Sequence, residues 1–463
     1  MKTNRKIKIL PMLFLSALLL LLLPTAAAAV GGTVHPVIDP VSLTAALNFA
    51  NNGDTILLLC NIEYNTGIVI QEKYITIDLN GCTLNVANPS GAGLEVSDGG
   101  EVGLTGKGKF NVTGSTYGVY ANASGIATVD NATATGTGGV GACATDGYSF
   151  LTVRGNAVAT GASGIGLRAS SVAAVNVNGD VRGVRYGAYL SGGSIRIDGD
   201  VTASGDSGIG VMASEGTSAV IAGDVTASSA SGVGVKVYQY GTTVTVGGNV
   251  TASTGVNVSD GNVVTVDGTI TATYYLFVES AYKVAADGVA GTGADENYFL
   301  FQNYSSSVRV RGLCKIEGKD IYVTLTAALA AAADGETIQL LKNVGYNTGI
   351  SISGKSITFD LNGCTLNVTN ASGAGLEVGS GGTVGLTGGG AFNVTGTSYG
   401  VYAHDGGTAT VNNAAASGTG VYIQNGGMVT VDEAVTAPNF IIRRARSKLP
   451  RMAPQEQALT KTI

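Results

Sequence analysis

The chain has 463 residues with 70 Gly, 44% hydrophobic residues, 13% charged residues and a formal net charge of −6. Its apolar content excludes a disordered chain, and glycines that do not recur at every third position exclude collagen. A helix-rich protein is disfavoured, because each Gly in a helix interior costs about 1 kcal/mol relative to Ala. The composition therefore indicates a β-rich protein with frequent turns.

Residues 1–29 are predicted to be a secretory signal peptide, followed by a linker over residues 30–41. A basic N-terminal stretch precedes an apolar run from Leu10 to Leu23, and small residues follow. This run of 14 residues is shorter than the roughly 20 that a membrane-spanning helix needs. We therefore expect a secreted or cell-surface protein with no membrane span after cleavage.

The charge of the mature chain is expected to be acidic. Cleavage would remove four basic residues and leave a net charge of about −10. Nucleic acid is excluded as a partner, because its binding surfaces are basic. The same balance argues against tight adhesion to anionic polymers unless a cation bridges them. Five cysteines, an odd number, predict no disulfide framework, and alternation predicts that Cys82 and Cys364 face inward.

A long internal repeat dominates the sequence. Residues 42–131 match residues 324–413 without a gap, at about two-thirds identity, and share YNTGI, DLNGCTLNV and SGAGLEV. Each copy begins with a predicted short helix, with Ser42 or Thr324 as its N-cap. Such a helix would cover the first rung of a stack of strands.

A finer period lies inside the repeat. The phrase V-x-V-x-G-x-V recurs every 20 to 25 residues, and a phrase related to G-V-x-V precedes it. Three short strands per coil of about 23 residues predict a parallel β-solenoid. A β-sandwich is the structural alternative, but hairpin loops would join its strands. The residues predicted to face inward in the second phrase are Leu94, Val96, Val119, Ala121, Leu167, Ala169, Val211, Ala213, Val235 and Val237.

These features resemble the pectate-lyase-like right-handed parallel β-helix superfamily, in particular exported bacterial surface proteins with β-helix repeats. The capping helix before GDTI, the phrase YITIDLNGCTL and the V-x-V-x-G-x-V ladder carry the resemblance. It implies an all-β, right-handed parallel β-helix with two tandem units, each opened by a short capping helix. The superfamily includes lyases, hydrolases and non-enzymatic stalks, so the resemblance implies no single function.

The predicted organisation after the linker has four parts. They are a first β-helix unit over residues 42–273, a small β connector or cap over 274–323, a shorter duplicate unit over 324–437 and a basic, disordered tail over 438–463.

One group of ionisable residues is a candidate for chemistry. Arg182 or Arg185 would act as the base of a lyase, with Asp200 nearby. Asp180, Asp200 and Asp224 are predicted at one position of successive coils, where a bound Ca²⁺ or interleaved Arg would relieve repulsion. The alternative is that Gly-Asp suits the turn and arginines neutralise it in solvent. No other cofactor is predicted.

Histidine offers no shared catalytic residue, because His404 is Asn122 in the first copy. Adjacent Asp pairs and a Gly-His-Gly phrase, which the superfamily's hydrolases would show, do not occur.

The residue between the two inward positions is predicted to point outward in each coil. This outward row reads Glu95, Tyr120, Cys143, Arg168, Tyr189, Met212, Lys236 and Asn257, and in the second copy Glu377, Tyr402 and Tyr422. The predicted ligand-binding residues are Tyr120, Arg168, Tyr189, Lys236 and Tyr402. The alternative is a solvated sheet face on which Tyr has good strand propensity.

The leading hypothesis is an exported, non-enzymatic β-helix surface protein that acts as a spacer or adhesion module and binds cell-surface or host glycans weakly. The alternative is a polysaccharide lyase or glycoside hydrolase acting on acidic polysaccharides. The sequence does not predict an oligomeric state.

Overall fold

The computed structural model describes residues 32–171 and 173–444. The predicted signal peptide and the tail beyond residue 444 lie outside the described residues. The described chain forms two compact bodies, the first made of residues 32–164 and 170–177 and the second of residues 165–169 and 178–444.

Three rows of parallel strands build the first body, and most coils contribute one strand to each row. The first row contains Val34–Val37, Asp54–Leu58, Tyr74–Asp78, Glu101–Thr105, Ile126–Val129, Phe150–Val153 and Ala174–Val177. The second row contains Ile62–Tyr64, Thr83–Asn88, Lys109–Gly114, Asn131–Ala134 and Ala157–Ala159. The third row contains Ile68–Gln71, Leu94–Ser97, Tyr117–Ala121 and Val140–Ala144. The predicted β-solenoid is confirmed.

The second body repeats this arrangement. Its first row begins with Ser194–Ile197, Ser218–Ile221, Thr243–Val246 and Val263–Val266. Its second row begins with Val181–Gly183, Val201–Ala203 and Val225–Ala227. Its third row begins with Ile165–Ser170, Tyr186–Ser191, Ile209–Ser214 and Val233–Val237. In the last two coils of this part the second and third strands merge into Val250–Val258 and Ile270–Val278.

The predicted connector is also rich in β structure, but several of its strands pair antiparallel. Its strands are Ala281–Lys283, Val289–Ala290, Tyr298–Asn303, Ser306–Arg311, Cys314–Ile316 and Ile321–Tyr322, with short 3₁₀ helices at Ala285–Asp287 and Gly293–Asp295. Ser306–Arg311 pairs in parallel with Val263–Val266 and so continues the first row.

The second copy of the repeat forms coils of its own. Its first row contains Glu336–Leu340, Ser356–Asp360, Thr383–Thr387, Thr408–Ala416 and Met428–Thr436. Its other strands are Val344–Tyr346, Thr365–Asn370, Ala391–Gly396, Ile350–Ser353, Ala374–Gly379, Tyr399–Ala403, Thr419–Gln424 and Asn439–Arg444.

The core lies inside the coils and consists mainly of aliphatic and small side chains, with the fully buried rings of Phe110, Phe359 and Phe392 among them. The ten residues predicted to face inward on the third strands are each at most 1% exposed. Their burial follows from the two-residue alternation of a strand, in which every second side chain points to the same face. The predicted interior is therefore confirmed for this row.

The DLNG turn differs from its prediction in one detail. Asn80 and Gly81 adopt φ values of +47° and +82°, which Asn tolerates and Gly adopts freely. Cys82 and Cys364 are half-buried, and Cys364 packs against the buried core, so the inward prediction holds only in part. Each precedes the first residue of its strand, Thr83 or Thr365, and therefore lies outside the strand alternation. No disulfide joins the cysteines of the described chain.

Two α-helices cap the first coils of the two copies: α1 (Pro40–Phe49) and α2 (Leu325–Ala331). Thr324 is the N-cap of α2, as predicted. The N-cap of α1 is Asp39, and the prediction of Ser42 is wrong. Asp39 accepts a hydrogen bond from the Ser42 backbone N–H at 2.7 Å, and Ser42 occupies the third helical position of a capping box.

Ordered pairing extends beyond two predicted boundaries. Val34–Val37, inside the predicted linker, pairs with Asp54–Leu58. Asn439–Arg444, inside the predicted tail, pairs with Thr419–Gln424. In both places the chain continues the backbone ladder, which satisfies its N–H and C=O groups. Within the described residues, no helix has the length and apolar character to cross a bilayer.

Lys342 links the second copy to the coils before it. Its Nζ donates to the carbonyl oxygens of Gly268 at 2.9 Å and Arg311 at 3.1 Å. Burial lowers the pKa of Lys342 to about 8, and the positive charge of Arg311 acts in the same direction. The buried amine is therefore held by carbonyl dipoles and not by a paired carboxylate.

Replacing Lys342 by Met should remove a pH dependence of stability. The folded-state pKa of about 8 lies below the ordinary value of 10.5, so the unfolded chain binds more protons between these pH values. Wild-type stability should then rise with pH across this window, by up to about 3 kcal/mol relative to Lys342→Met. Urea unfolding of both proteins at several pH values measures this difference, and a constant difference would contradict the assignment.

Candidate functional site

The register of the third strands places the predicted outward row at equivalent positions of successive coils, although two of its members, Cys143 and Tyr422, are buried. Tyr120 pairs with Glu95 and Cys143 in the first body. In the second body the pairing runs Tyr189, Met212, Lys236 and Asn257, and in the second copy Glu377, Tyr402 and Tyr422. These side chains therefore lie one coil apart, about 4.8 Å from their neighbours.

Cys143 departs from the row, because it is only 1% exposed. The hydroxyl of Tyr120 accepts a hydrogen bond from Thr145 Oγ1 at 3.3 Å. Since Thr145 belongs to the coil of Cys143, the Tyr120 ring extends across that coil. The neighbouring ring of Tyr117 stacks on Tyr120 with centroids 4.6 Å apart, so one face of Tyr120 is covered.

Arg168, Tyr189 and Lys236 of the outward row, together with Arg185 and Tyr186 at the start of the Tyr189 strand, form a group that we call the Arg–Tyr patch. The guanidinium carbon of Arg168 lies 5.9 Å from the ring centroid of Tyr189, and that of Arg185 lies 5.0 Å from the ring of Tyr186. The two rings are 5.3 Å apart. Cations over aromatic faces attract the rings electrostatically and hold the side chains in place.

The charges of the Arg–Tyr patch are not neutralised by carboxylates. Both arginines are exposed and Lys236 is half-buried, and the ion pairs found among the described residues use other basic side chains. Burial, and next the charge of and the hydrogen bond with Tyr238, raise the pKa of Tyr189, so its hydroxyl is engaged within the protein. The patch can therefore offer cations and ring edges to a ligand.

The structure separates the predicted catalytic residues. Arg182 Nη2 forms an ion pair with Asp180 Oδ2 at 2.7 Å. The backbone N–H of Asp200 donates to Asp180 Oδ1 at 3.0 Å, so these three residues are neighbours. Arg185 instead lies over the Tyr186 ring. The guanidinium group of Arg182, a predicted base, is therefore engaged by the Asp180 carboxylate.

The predicted calcium ligands belong to a ladder of backbone hydrogen bonds. Asp200 Oδ1 accepts from the Asp224 N–H at 2.8 Å, and Asp224 Oδ1 accepts from the Asn249 N–H at 2.6 Å. The backbone bond from Asp200 is the largest cause that lowers the pKa of Asp180. The carboxylates are thus stabilised by amide dipoles one coil away. No group of three or more His, Cys, Asp or Glu residues in the described chain is arranged to hold a metal, and calcium binding stays a prediction.

Tyr402 lies in a second cluster, on the second copy. Its ring stacks on His404 with centroids 4.6 Å apart, and the ring of Tyr422 lies 5.2 Å away. His404 Nε2 is 3.2 Å from Glu377 Oε1, and Nδ1 is 2.9 Å from Asp405 Oδ2. Burial is the main cause that raises the pKa of Tyr402. The ring faces here are largely occupied by other rings.

The second copy makes room for this histidine. A Cβ atom on Gly379 would lie 2.5 Å from the His404 ring, whereas the first copy has Ser97 and Asn122 at the two matching positions. The change from Ser97 to Gly379 therefore accommodates the change from Asn122 to His404. Comparing the copies residue by residue would have found the pair, but only the structure places Glu377 on the same ring.

Three tyrosines lie at the tips of turns, and sequence reasoning missed two of them, Tyr148 and Tyr304. Tyr148, Tyr240 and Tyr304 are 89%, 76% and 92% exposed. Tyr148 and Tyr304 also have positive φ values, of +74° and +48°, which are rare for bulky residues. The available signal was a Tyr within the turn sequences DGYS, QYGT and NYSS.

Comparisons with known proteins assign no family to the chain. No protein-family profile and no curated protein matches it. A solved structure of a PL6 family alginate lyase, AlyGC, is similar at a TM-score of 0.19 and 11% sequence identity, over 89% of this chain and 80% of that chain. At this TM-score the likeness carries no conclusion about activity or site.

The carboxylate ladder predicts different effects for two substitutions of Asp200. Asp200→Ala removes the acceptor of the Asp224 N–H and should destabilise the protein by about 1 kcal/mol. Asp200→Asn keeps an acceptor oxygen, and we expect a change within about 0.5 kcal/mol. Thermal melting with and without Ca²⁺ measures both. A calcium-dependent stabilisation of the wild type that Asp200→Asn abolishes would favour a metal site over the ladder.

Proposed function

We propose that the protein is a non-enzymatic β-solenoid of the cell surface or exterior, which spaces and presents an adhesion surface for anionic glycans. The observation that carries the proposal is the Arg–Tyr patch. It offers three cations without carboxylate partners in the described chain, next to two tyrosines, on a protein with a net negative charge.

The chemistry of the patch suits sugar carboxylates or sulfates. Guanidinium groups donate paired N–H bonds to such anions, and tyrosine edges add polar and apolar contacts along a sugar chain. An exposed ion pair contributes less than about 1 kcal/mol, so a single contact is weak. A polymeric ligand can engage several weak contacts at once, which raises the effective concentration of each.

The patch also reconciles adhesion with the acidic composition. The sequence argument against anionic polymers concerns the field of the whole body, which decays within about 8 Å at physiological salt. A local group of cations is closer than that distance to a bound ligand. We therefore expect modest affinity that weakens further as salt is added.

Substitution of both patch arginines tests the proposal. Arg168→Ala with Arg185→Ala should weaken binding of polygalacturonate about tenfold, because two ion pairs of up to about 0.7 kcal/mol each are lost. Isothermal titration or retention on immobilised polymer measures the effect. The matched control is Arg196→Ala with Arg309→Ala. These two arginines already form ion pairs within the protein, Arg196 with Asp198 and Arg309 with Asp295.

Three outcomes would count against the proposal. The double patch variant could bind as tightly as its control, or the wild type could fail to bind the polymer, which would favour a passive spacer. Release of unsaturated or reducing ends from polygalacturonate during the same incubation would establish the enzymatic alternative instead.

A further inference from the structure

Two cysteines occupy equivalent positions in neighbouring coils of the first body. The register pairs Ile62 with Leu84, and Cys60 and Cys82 each lie two residues before these positions. Both are thiols in the structure. Neighbouring coils are about 4.8 Å apart, and a disulfide joins Cα atoms that are about 4.4 to 6.8 Å apart. The backbone therefore holds the two cysteines at a separation that a disulfide can span.

Hydrogen bonds on both sides of the pair fix its alignment. The Thr83 N–H donates to Asn61 Oδ1 at 2.8 Å, which ties together the residues that follow the two cysteines. On the preceding side, Asn80 Nδ2 donates to the carbonyl oxygen of Leu58 at 3.0 Å. The Sγ atom of Cys82 lies 4.0 Å from the same oxygen. This sulfur is therefore turned toward the neighbouring coil, two residues from the other cysteine.

The thiol of Cys60 needs one side-chain rotation to meet this sulfur. Its Sγ atom donates to the carbonyl oxygen of Ile38 at 2.9 Å, one coil further toward helix α1. Cys60 is exposed to solvent, so packing does not hold it in this rotamer. Exposed side chains change rotamer within nanoseconds. Rotation about the Cα–Cβ bond of Cys60 is therefore fast compared with thiol chemistry, and the backbone does not have to move.

The other three cysteines of the chain do not offer such a pair. Cys143 and Cys314 are at most 1% exposed, and burial raises the pKa of Cys314 to about 12. Thiol–disulfide exchange needs an accessible thiolate, which these two residues do not supply. Cys364 is the counterpart of Cys82 in the second copy, but the neighbouring coil there has Lys342 at the matching position. Cys364 therefore lacks a thiol in the position that would complete a pair.

We propose that Cys60 and Cys82 are a thiol–disulfide site, which forms a cross-link between their coils under oxidising conditions and opens under reducing ones. The oxidant is a low-molecular-weight disulfide such as oxidised glutathione. The Cys60 thiolate attacks one sulfur of this disulfide, forms a mixed disulfide and releases one thiol. The Cys82 thiolate then attacks the Cys60 sulfur and releases the second thiol. Two cysteine thiols are oxidised, the reagent disulfide is reduced, and the two cysteine protons end on the released thiols.

The cross-link would stabilise the coil of Cys60 against local opening. Beyond this coil, the described residues contribute only strand Val34–Val37, helix α1 and the residues around them. Each coil of a solenoid is held mainly by its nearest neighbours, so a coil close to the end opens more easily than one in the middle. A disulfide restricts the opened chain between the two cysteines. Where disulfides persist, as outside the cell, the first coil would stay attached to the second.

The experiment is oxidation of the full chain with oxidised glutathione, followed by alkylation, tryptic digestion and mass spectrometry without reduction. Lys73 lies between the two cysteines, so trypsin separates them into two peptides that only a disulfide can hold together. We expect the intact protein to become lighter by two hydrogen atoms and the joined peptides to appear. In the oxidised protein, deuterium exchange of the amides in helix α1 and Asp54–Leu58 should slow by about tenfold or more.

Cys364→Ser is the matched control, because it removes a half-buried cysteine from the same turn of the second copy and should change neither result. Cys60→Ser and Cys82→Ser should each abolish the joined peptides and the slower exchange. A mixed disulfide that persists on Cys60, or a covalent dimer through Cys60, would overturn the proposal. Unchanged exchange in the cross-linked wild type would overturn the stabilising role. No glycan takes part in these measurements, so they stand apart from the test of polygalacturonate binding.

Discussion

Stacking of equivalent positions one coil apart is the constraint on which the rest of the structure depends. Backbone amides of each strand bond to the neighbouring coils, so the nearest neighbours of a side chain are its counterparts about 4.8 Å away. Val119, for example, lies between Leu94 and Ala142. Every position must therefore tolerate a similar residue above and below it. Branched and small apolar side chains satisfy this condition at most positions inside the coils, and where a large ring enters, as at Phe359, a second ring at Phe392 packs against it.

The polar positions follow the same rule by a different route. Asn111 donates to Asn85 Oδ1 at 2.9 Å and accepts from Asn131 Nδ2 at 2.8 Å, so an amide stacks on itself with both groups satisfied. A carboxylate cannot do this, because it only accepts. Asp200 and Asp224 resolve the conflict by accepting backbone N–H groups. Asparagine ladders and amide-bound carboxylates thus satisfy the polar positions without ion pairs, in a chain in which only 13% of residues are charged.

This rule also explains how far the sequence alone could lead. The coil period, the inward residues and the capping helices repeat locally, so pattern reasoning found them. Contacts between coils depend on the conformation of each side chain, which the sequence pattern does not specify. The reach of Tyr120 across Cys143, and of Asp200 to an amide one coil away, could not be read from spacing. Tyr304 was missed because strain in a turn is a property of φ, which the residue type alone does not reveal.

The distribution of charge supports the proposal of binding over catalysis. An acid or base must be free to exchange a proton with a substrate held close to it, yet Asp180, Arg182 and Asp200 are engaged with one another and with the backbone. The cations for which the described residues show no carboxylate partner lie beside Tyr186 and Tyr189. Ring edges and singly placed charges contact a ligand without activating a bond in it. On a scaffold that repeats every coil, such contacts gain strength by their number along an extended ligand, which is what the proposed adhesion requires.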